Sequence, residues 1–224
     1  MNKQQTKNII LINKPLHWTS NDVVRKVKNT LNAKKVGHAG TLDPLASGLL
    51  ILGIGSGTKQ LNDLITNDKE YVATVHFNYY TDTYDNEGQV LAYQNKEVTI
   101  CDILPVLENM KNMEYWQVPP KYSAIKINGQ KAYDLARSNK EVVIEPRLVH
   151  LYDYEILSFI DKELVIRLHV SKGFYVRSFA HDLGERINNY ANLAGLVRTK
   201  IGEFDLQNAW SLEELKTKYD SELE

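Results

Sequence analysis

The chain has 224 residues, 43% of them hydrophobic and 25% charged, with a net charge of −1, which is the balance of an ordinary globular protein and excludes a disordered or fibrous one. No apolar run approaches the ~20 residues of a membrane helix, and the polar opening MNKQQTKNII lacks the apolar core of a secretory signal. Cys101 is the single cysteine, so no internal disulfide can form and the cytoplasm is the expected compartment.

The first element is a short apolar strand over 8–12, stopped at Lys14-Pro15. A helix follows. Thr19 and Asp22 have the spacing of a capping box, and Val23, Val24, Val27 and Leu31 form one apolar stripe. Arg25, Lys26, Lys28, Lys34, Lys35 and His38 crowd the same stretch. Residues 203–224, by contrast, hold seven acidic and two basic side chains, which leaves +4 on residues 1–202. Phosphate binding needs local rather than total positive charge. On charge alone, however, the basic stretch reads as a solvated helix face.

Residues 49–54 form a buried strand, and Leu61, Leu64 and Ile65 mark another short helix. Between them Gly53, Gly55 and Gly57 precede Thr58-Lys59. The pattern G-x-G-x-G-T-K fits neither the phosphate loop nor the dinucleotide fingerprint, so it reads as a strand-to-helix turn. Over 70–77 the residues alternate, with Tyr71, Ala73, Val75 and Phe77 on one side. Residues 164–170 alternate similarly. Val176, Phe179, Ala180, Leu183 and Ile187 make a helical stripe. Strands and helices mix without a βαβ rhythm, so the fold class is α+β. A polar excursion over 117–147, with a helix-like piece at 132–137, interrupts the strands.

The six histidines and Cys101 lack zinc-ligand spacing, and no metal is expected. His150, His169 and His181 read as structural or surface residues. No G-x-S-x-G elbow is present. What remains is Gly37-His38-Ala39-Gly40-Thr41-Leu42-Asp43-Pro44-Leu45-Ala46-Ser47-Gly48, a tightly shaped loop rich in glycine. An Asp before a Pro is by itself a turn former. Here it is joined to His38 and follows the basic helix, so it can present one carboxylate into a cleft near phosphates.

The string GHAGTLDPLASGLL closely resembles the catalytic motif of the TruB family of tRNA pseudouridine synthases. Ile12-Asn13-Lys14-Pro15 with Thr19-Ser20 is similar to the family's N-terminal Lys-Pro motif. Asp68-Lys69-Glu70-Tyr71, Thr81-Asp82-Thr83-Tyr84-Asp85 with Gly88, PPKYSAIK at 119–126 and SKGFYVR at 171–177 complete six ordered motifs over residues 12–177.

The resemblance implies a mixed, largely antiparallel sheet with flanking helices, and a thumb-like insertion at about 117–147. It implies isomerisation of uridine 55 in the T loop of tRNA, by breaking the C1′–N1 bond and rejoining the base through C5. No cofactor is expected. The resemblance makes Asp43 the catalytic carboxylate, Tyr71 a base contact that assists at C5, and Arg177 the partner of Asp43. It places Tyr175 in the base pocket, His38 and Leu196 at the RNA, and Lys14 under the catalytic loop or on the RNA backbone. Extruding the uridine costs a few kcal/mol, recovered by stacking and by filling the vacated site.

The expected organisation is a catalytic domain over 1–202 and a short acidic tail over 203–224, without the small C-terminal RNA-binding (PUA) domain of most relatives. The expected partner is the tRNA T arm, with no DNA or membrane, and the protein is expected to be a monomer. Three positions depart from the family pattern: Asn192, where a His is usual nearby, Val197 in place of an Arg, and Asn78 in place of a glycine. A related synthase acting on another uridine, and a catalytically idle RNA-binding module, are the competing readings.

Overall fold

The computed structural model describes residues 8–123, 125–127, 130–131 and 143–221. They form two compact units, 1–72 with 196–224, and 73–195. The helix expected at 132–137 lies outside the described residues.

The first unit begins with β1 (Ile9–Lys14), α1 (Ser20–Thr30), β2 (Val36–Ala39) and β3 (Ala46–Ile54). A 3-10 turn, Gly55–Lys59, leads into α2 (Leu61–Ile65), so the glycine run is the expected turn. The start of β4 (Lys69–Phe77), the end of β13 (Ala191–Ile201), β14 (Phe204–Asp205) and α5 (Leu212–Ser221) complete the unit. Strand β3 is its axis. β1 and β2 both pair with it antiparallel, and β13 runs parallel to it with Leu196 opposite Ala46 and Arg198 opposite Gly48.

Because β1 and β3 are continuous apolar runs, both of their faces are buried. Ile9, Leu11, Leu49 and Ile51 pack with Leu61 and Ile201 on one face. On the other, Ile10, Ile12, Leu50 and Leu52 pack with Val23 and Val27 of α1 and Leu212 and Leu215 of α5. Thr19 and Asp22 exchange the capping-box hydrogen bonds that start α1, so its apolar stripe is set at the angle that fills this face. Within the segment expected as an acidic tail, residues 204–205 and 212–221 therefore fold. Glu213, Glu214, Lys216 and Thr217 are exposed, while Leu212 and Leu215 anchor the helix in the core.

The second unit holds the remainder of β4, the hairpin β5 (Tyr79–Thr81) and β6 (Val90–Tyr93), and α3 (Ile100–Asn112). It continues through β7 (Tyr115–Gln117), β8 (Lys126–Ile127), β9 (Gln130–Lys131), β10 (Arg147–Val149), β11 (Leu151–Ile160), β12 (Glu163–Val170) and α4 (Val176–Arg186). The pairs β7–β10, β8–β9 and β11–β12 are antiparallel.

Strand β4 alternates strictly, with Tyr71, Ala73, Val75 and Phe77 buried. The stripe of α4 buries Val176, Phe179, Ala180 and Leu183, and β12 buries Leu164, Ile166 and Leu168. Parallel pairing of β3 with β13 is thus set among many antiparallel pairs, and the fold is α+β with a mixed, largely antiparallel sheet.

Candidate active site

The catalytic string occupies β2, the loop 40–45 and the start of β3. Asp43 is half-buried on that loop, and the loop is tied down on both sides of it. Ser20, the first residue of α1, accepts from the Leu42 N–H at 2.9 Å and donates to the Leu42 carbonyl at 3.1 Å. The His17 N–H donates to the Pro44 carbonyl at 2.8 Å, and the Ala46 N–H closes a turn on the Asp43 carbonyl at 3.0 Å.

Lys14 is fully buried, and its ammonium donates to the Pro15 and Trp18 carbonyls. Both acceptors lie in the segment 15–18, whose His17 N–H reaches the Pro44 carbonyl. Ser20 belongs to the N-terminal Lys-Pro motif, but its hydrogen bonds to the loop have no signature in the sequence.

Tyr71, on β4, is 8% exposed, and its hydroxyl faces the Arg198 guanidinium. Leu196 lies at the head of the β13 segment that pairs with β3, opposite Ala46, which is close in sequence to Asp43. His38, on β2, sits across from Leu52. Burial, together with the Arg198 charge, holds its imidazole below the ordinary histidine pKa. Its Nδ1 is buried with no hydrogen-bond partner among the described residues. His38 is therefore neutral near pH 7 and offers ring chemistry rather than charge.

Nothing in the sequence singles out Arg198. It is 1% exposed, and its Nε and Nη2 donate to the Leu49 and Gly40 carbonyls at 2.9 and 3.0 Å.

Tyr175 and Arg177 lie in the second unit. Tyr175 caps the N-terminus of α4, and Gln117 brackets its backbone. Gln117 Oε1 accepts from the Tyr175 N–H at 2.7 Å, and its Nε2 donates to the Tyr175 carbonyl at 3.0 Å. The Tyr115 hydroxyl accepts from Gln117 Nε2 and donates to Asp182.

Arg177, in the first turn of α4, lies 3.4 Å from the Asp85 carboxylate, and the two side chains are 6% and 5% exposed. It also donates to the carbonyls of Thr83 and Tyr122. Asp85 in turn accepts from the Thr83 hydroxyl at 2.6 Å and the Glu87 N–H at 3.0 Å. The T-D-T-x-D segment is therefore a self-bonded loop that offers a carboxylate to Arg177, which accounts for a cation at a helix N-terminus.

Of the departures, Asn78 adopts φ +79°, the left-handed conformation that favours glycine and that Asn tolerates best among other residues. Asn192 is buried and donates to Asn86, and its Oδ1 has no partner among the described residues. Val197 lies opposite Ser47.

His181, expected to be a structural or surface residue, packs among aromatic rings. Its ring stacks on Tyr84 at 4.0 Å and approaches Tyr80 at 5.4 Å, and these rings line a cavity of about 390 Å³ with Asp82, Lys121, Tyr122, Glu185 and Tyr190.

The spacing of the catalytic string, with its carboxylate held on a braced loop beside a buried Arg–Tyr pair, has a counterpart among known proteins. Residues 28–176 match the model of the TruB family pseudouridylate synthase N-terminal domain. The chain belongs to the TruB family.

A tRNA pseudouridine synthase B from Ureaplasma urealyticum serovar 10 is 54% identical over 211 residues, covering 93% of this chain and 92% of that protein. One from Malacoplasma penetrans is 44% identical over 206 residues, 91% and 89% of the two chains. Among solved structures, an archaeal box H/ACA ribonucleoprotein complex of Nop10 and Cbf5 matches with a TM-score of 0.73 at 27% identity. That match covers 96% of this chain and 55% of the other, so this TruB-family chain spans about half the length of its solved relative.

Proposed function

We propose that this chain converts uridine 55 in the T loop of tRNA to pseudouridine, with Asp43 as the catalytic carboxylate. The observation that carries the reading is the Asp43 loop. It has the spacing of the family's catalytic string, and Ser20 and His17 fix the residues on either side of the Asp. Relatives at 44–54% identity, named as tRNA pseudouridine synthases, support the substrate class.

The reaction is a redox-neutral isomerisation. The base leaves C1′, turns, and rejoins through C5; the C5 proton is lost to restore aromaticity, and N1 takes up a proton in its place. Asp43 acts at the sugar and base. Tyr71 contacts the base and assists the departure of the C5 proton, and Arg177 is the third catalytic residue. Tyr175 lines the base pocket. His38 and Leu196 contact the RNA around the extruded uridine, and Lys14 braces the loop beneath Asp43. The neutral His38 suits a position against unstacked bases, where a fixed charge would be costly to desolvate.

A T arm carrying one uridine at position 55 therefore contains the whole substrate. The test is to map pseudouridine in cellular tRNA with and without the gene. Loss of the modification at position 55 alone supports the proposal, and loss at another tRNA position or in ribosomal RNA refutes it.

A further inference from the structure

The string that carries Asp43 is shaped around a side chain about 150 residues further along the chain. We propose that Arg198 is a positioning residue for the reaction, holding the Tyr71 hydroxyl and the Asp43 loop in one fixed relation through a single buried guanidinium. The proposal rests on the function proposed above and adds a residue to it.

Three contacts define the role. Arg198 Nη2 donates to the carbonyl of Gly40, three residues before Asp43, at 3.0 Å. Its Nε donates to the carbonyl of Leu49, six residues after Asp43, at 2.9 Å. The same guanidinium also faces the Tyr71 hydroxyl on β4. One rigid planar group therefore grips both flanks of the loop while standing beside the phenol, and its fork geometry sets the angle between the two carbonyls.

The glycines of the string fit this arrangement. Gly40 turns its carbonyl to the arginine from a left-handed conformation, φ +74°, and a Cβ there would stand 3.4 Å from Arg198 Nη1. Gly48, at φ +102°, lies opposite Arg198 in the β3–β13 pair, and a Cβ there would overlap the Arg198 backbone. The left-handed backbone at Gly40 thus aims its carbonyl at the guanidinium, and Gly48 admits the β13 backbone at position 198.

An aliphatic side chain would fill the same interior without desolvating a charge, and such replacements of buried ionic groups are often neutral or stabilising. Placing an arginine at 1% exposure is therefore best explained by what it orients. Lysine would keep the charge but not the fork, so it cannot hold the two carbonyls in one plane.

The test compares the full chain with Arg198→Lys, Tyr71→Phe and the double variant. Single-turnover tritium release from a T-arm RNA carrying 5-tritiated uridine is measured beside RNA affinity and melting temperature. Arg198→Lys is expected to slow release about 100-fold, the scale of a misplaced reacting group, while affinity and melting temperature change little. In the Tyr71→Phe background its effect should be smaller than in the wild type, because both changes break one shared linkage while the Gly40 and Leu49 contacts remain to be lost. Parallel loss of rate, affinity and melting temperature, or losses that multiply in the double variant, would overturn the proposal.

A second measurement needs no substitution of Arg198. In the full chain with ¹⁵N-labelled arginine, the Arg198 guanidinium signals should be protected from exchange and should shift in Tyr71→Phe. Signals unmoved by that change would also refute the linkage. A wild-type chain that releases no tritium would sink the proposed function, yet the guanidinium signals would still report on the linkage.

Discussion

Arg177 and Asp85 form a buried ion pair. Both are nearly fully buried and lie 3.4 Å apart, so removing the guanidinium leaves the Asp85 charge without this cation in a poorly solvated place. Such truncations typically cost about 3–5 kcal/mol. Arg177→Ala should therefore lower stability to denaturant by an amount in that range as well as reduce activity. Unchanged stability with reduced activity would mean that Arg177 serves the chemistry alone.

The motif resemblance pointed to Arg177 but assigned it only to Asp43. Nothing in the spacing T-D-T-x-D reveals that its last carboxylate turns inward to meet Arg177, because that depends on a loop closed by Thr81 and Thr83 hydroxyls. Arg198 was illegible for a similar reason. A lone arginine in a strand looks like a surface cation, and only the β3–β13 pairing buries it.

At the level of elements, β4 and α1 were readable because period and capping are local properties. The strict alternation of β4 and the Thr19–Asp22 box appear in the structure as the sequence predicts. Thr19→Ala should cost about 1 kcal/mol, measured by urea denaturation, since it removes the hydroxyl that accepts from the Asp22 N–H.

The anchoring of α4 was not readable, because it joins residues about 60 apart through Gln117, Tyr115 and Asp182. Burial pushes the Asp182 carboxyl from its ordinary 3.8 up to about 6, although the Tyr115 hydroxyl and Arg186 act the other way. Between about pH 4 and 6 the folded chain thus holds a proton on Asp182 that the unfolded chain has released. Stability from this group falls as pH rises through that window and stays lost above it. Asp182→Asn, which can still accept from Tyr115, should remove the dependence. From pH 4 to 7 the wild-type chain should lose about 1–3 kcal/mol relative to that variant in urea titrations. Parallel pH profiles for the two proteins would contradict this account of the clamp.

Over the whole molecule, the charge asymmetry of the sequence was legible but its consequence was not. The acidic segment 203–224 looked like a tail because charge dominates its composition. Leu212 and Leu215, spaced for one helix face, instead place α5 against α1 and the β1–β3 sheet. The basic side chains Arg25, Lys26, Lys28, Lys34 and Lys35 all remain exposed, so the charge that could meet RNA phosphates is free of the core.

The account's central claim is that the braced carboxylate at position 43 performs the isomerisation. Tritium release from 5-tritiated uridine in tRNA, measured for purified wild-type chain and Asp43→Asn at matched RNA occupancy, tests it most directly. The braces on Leu42 and Pro44 involve backbone groups, so the variant should fold and bind tRNA like wild type. Wild type is predicted to release tritium and Asp43→Asn to release none. Measurable turnover by the variant, free of wild-type enzyme, would contradict the assignment of Asp43 as the catalytic residue.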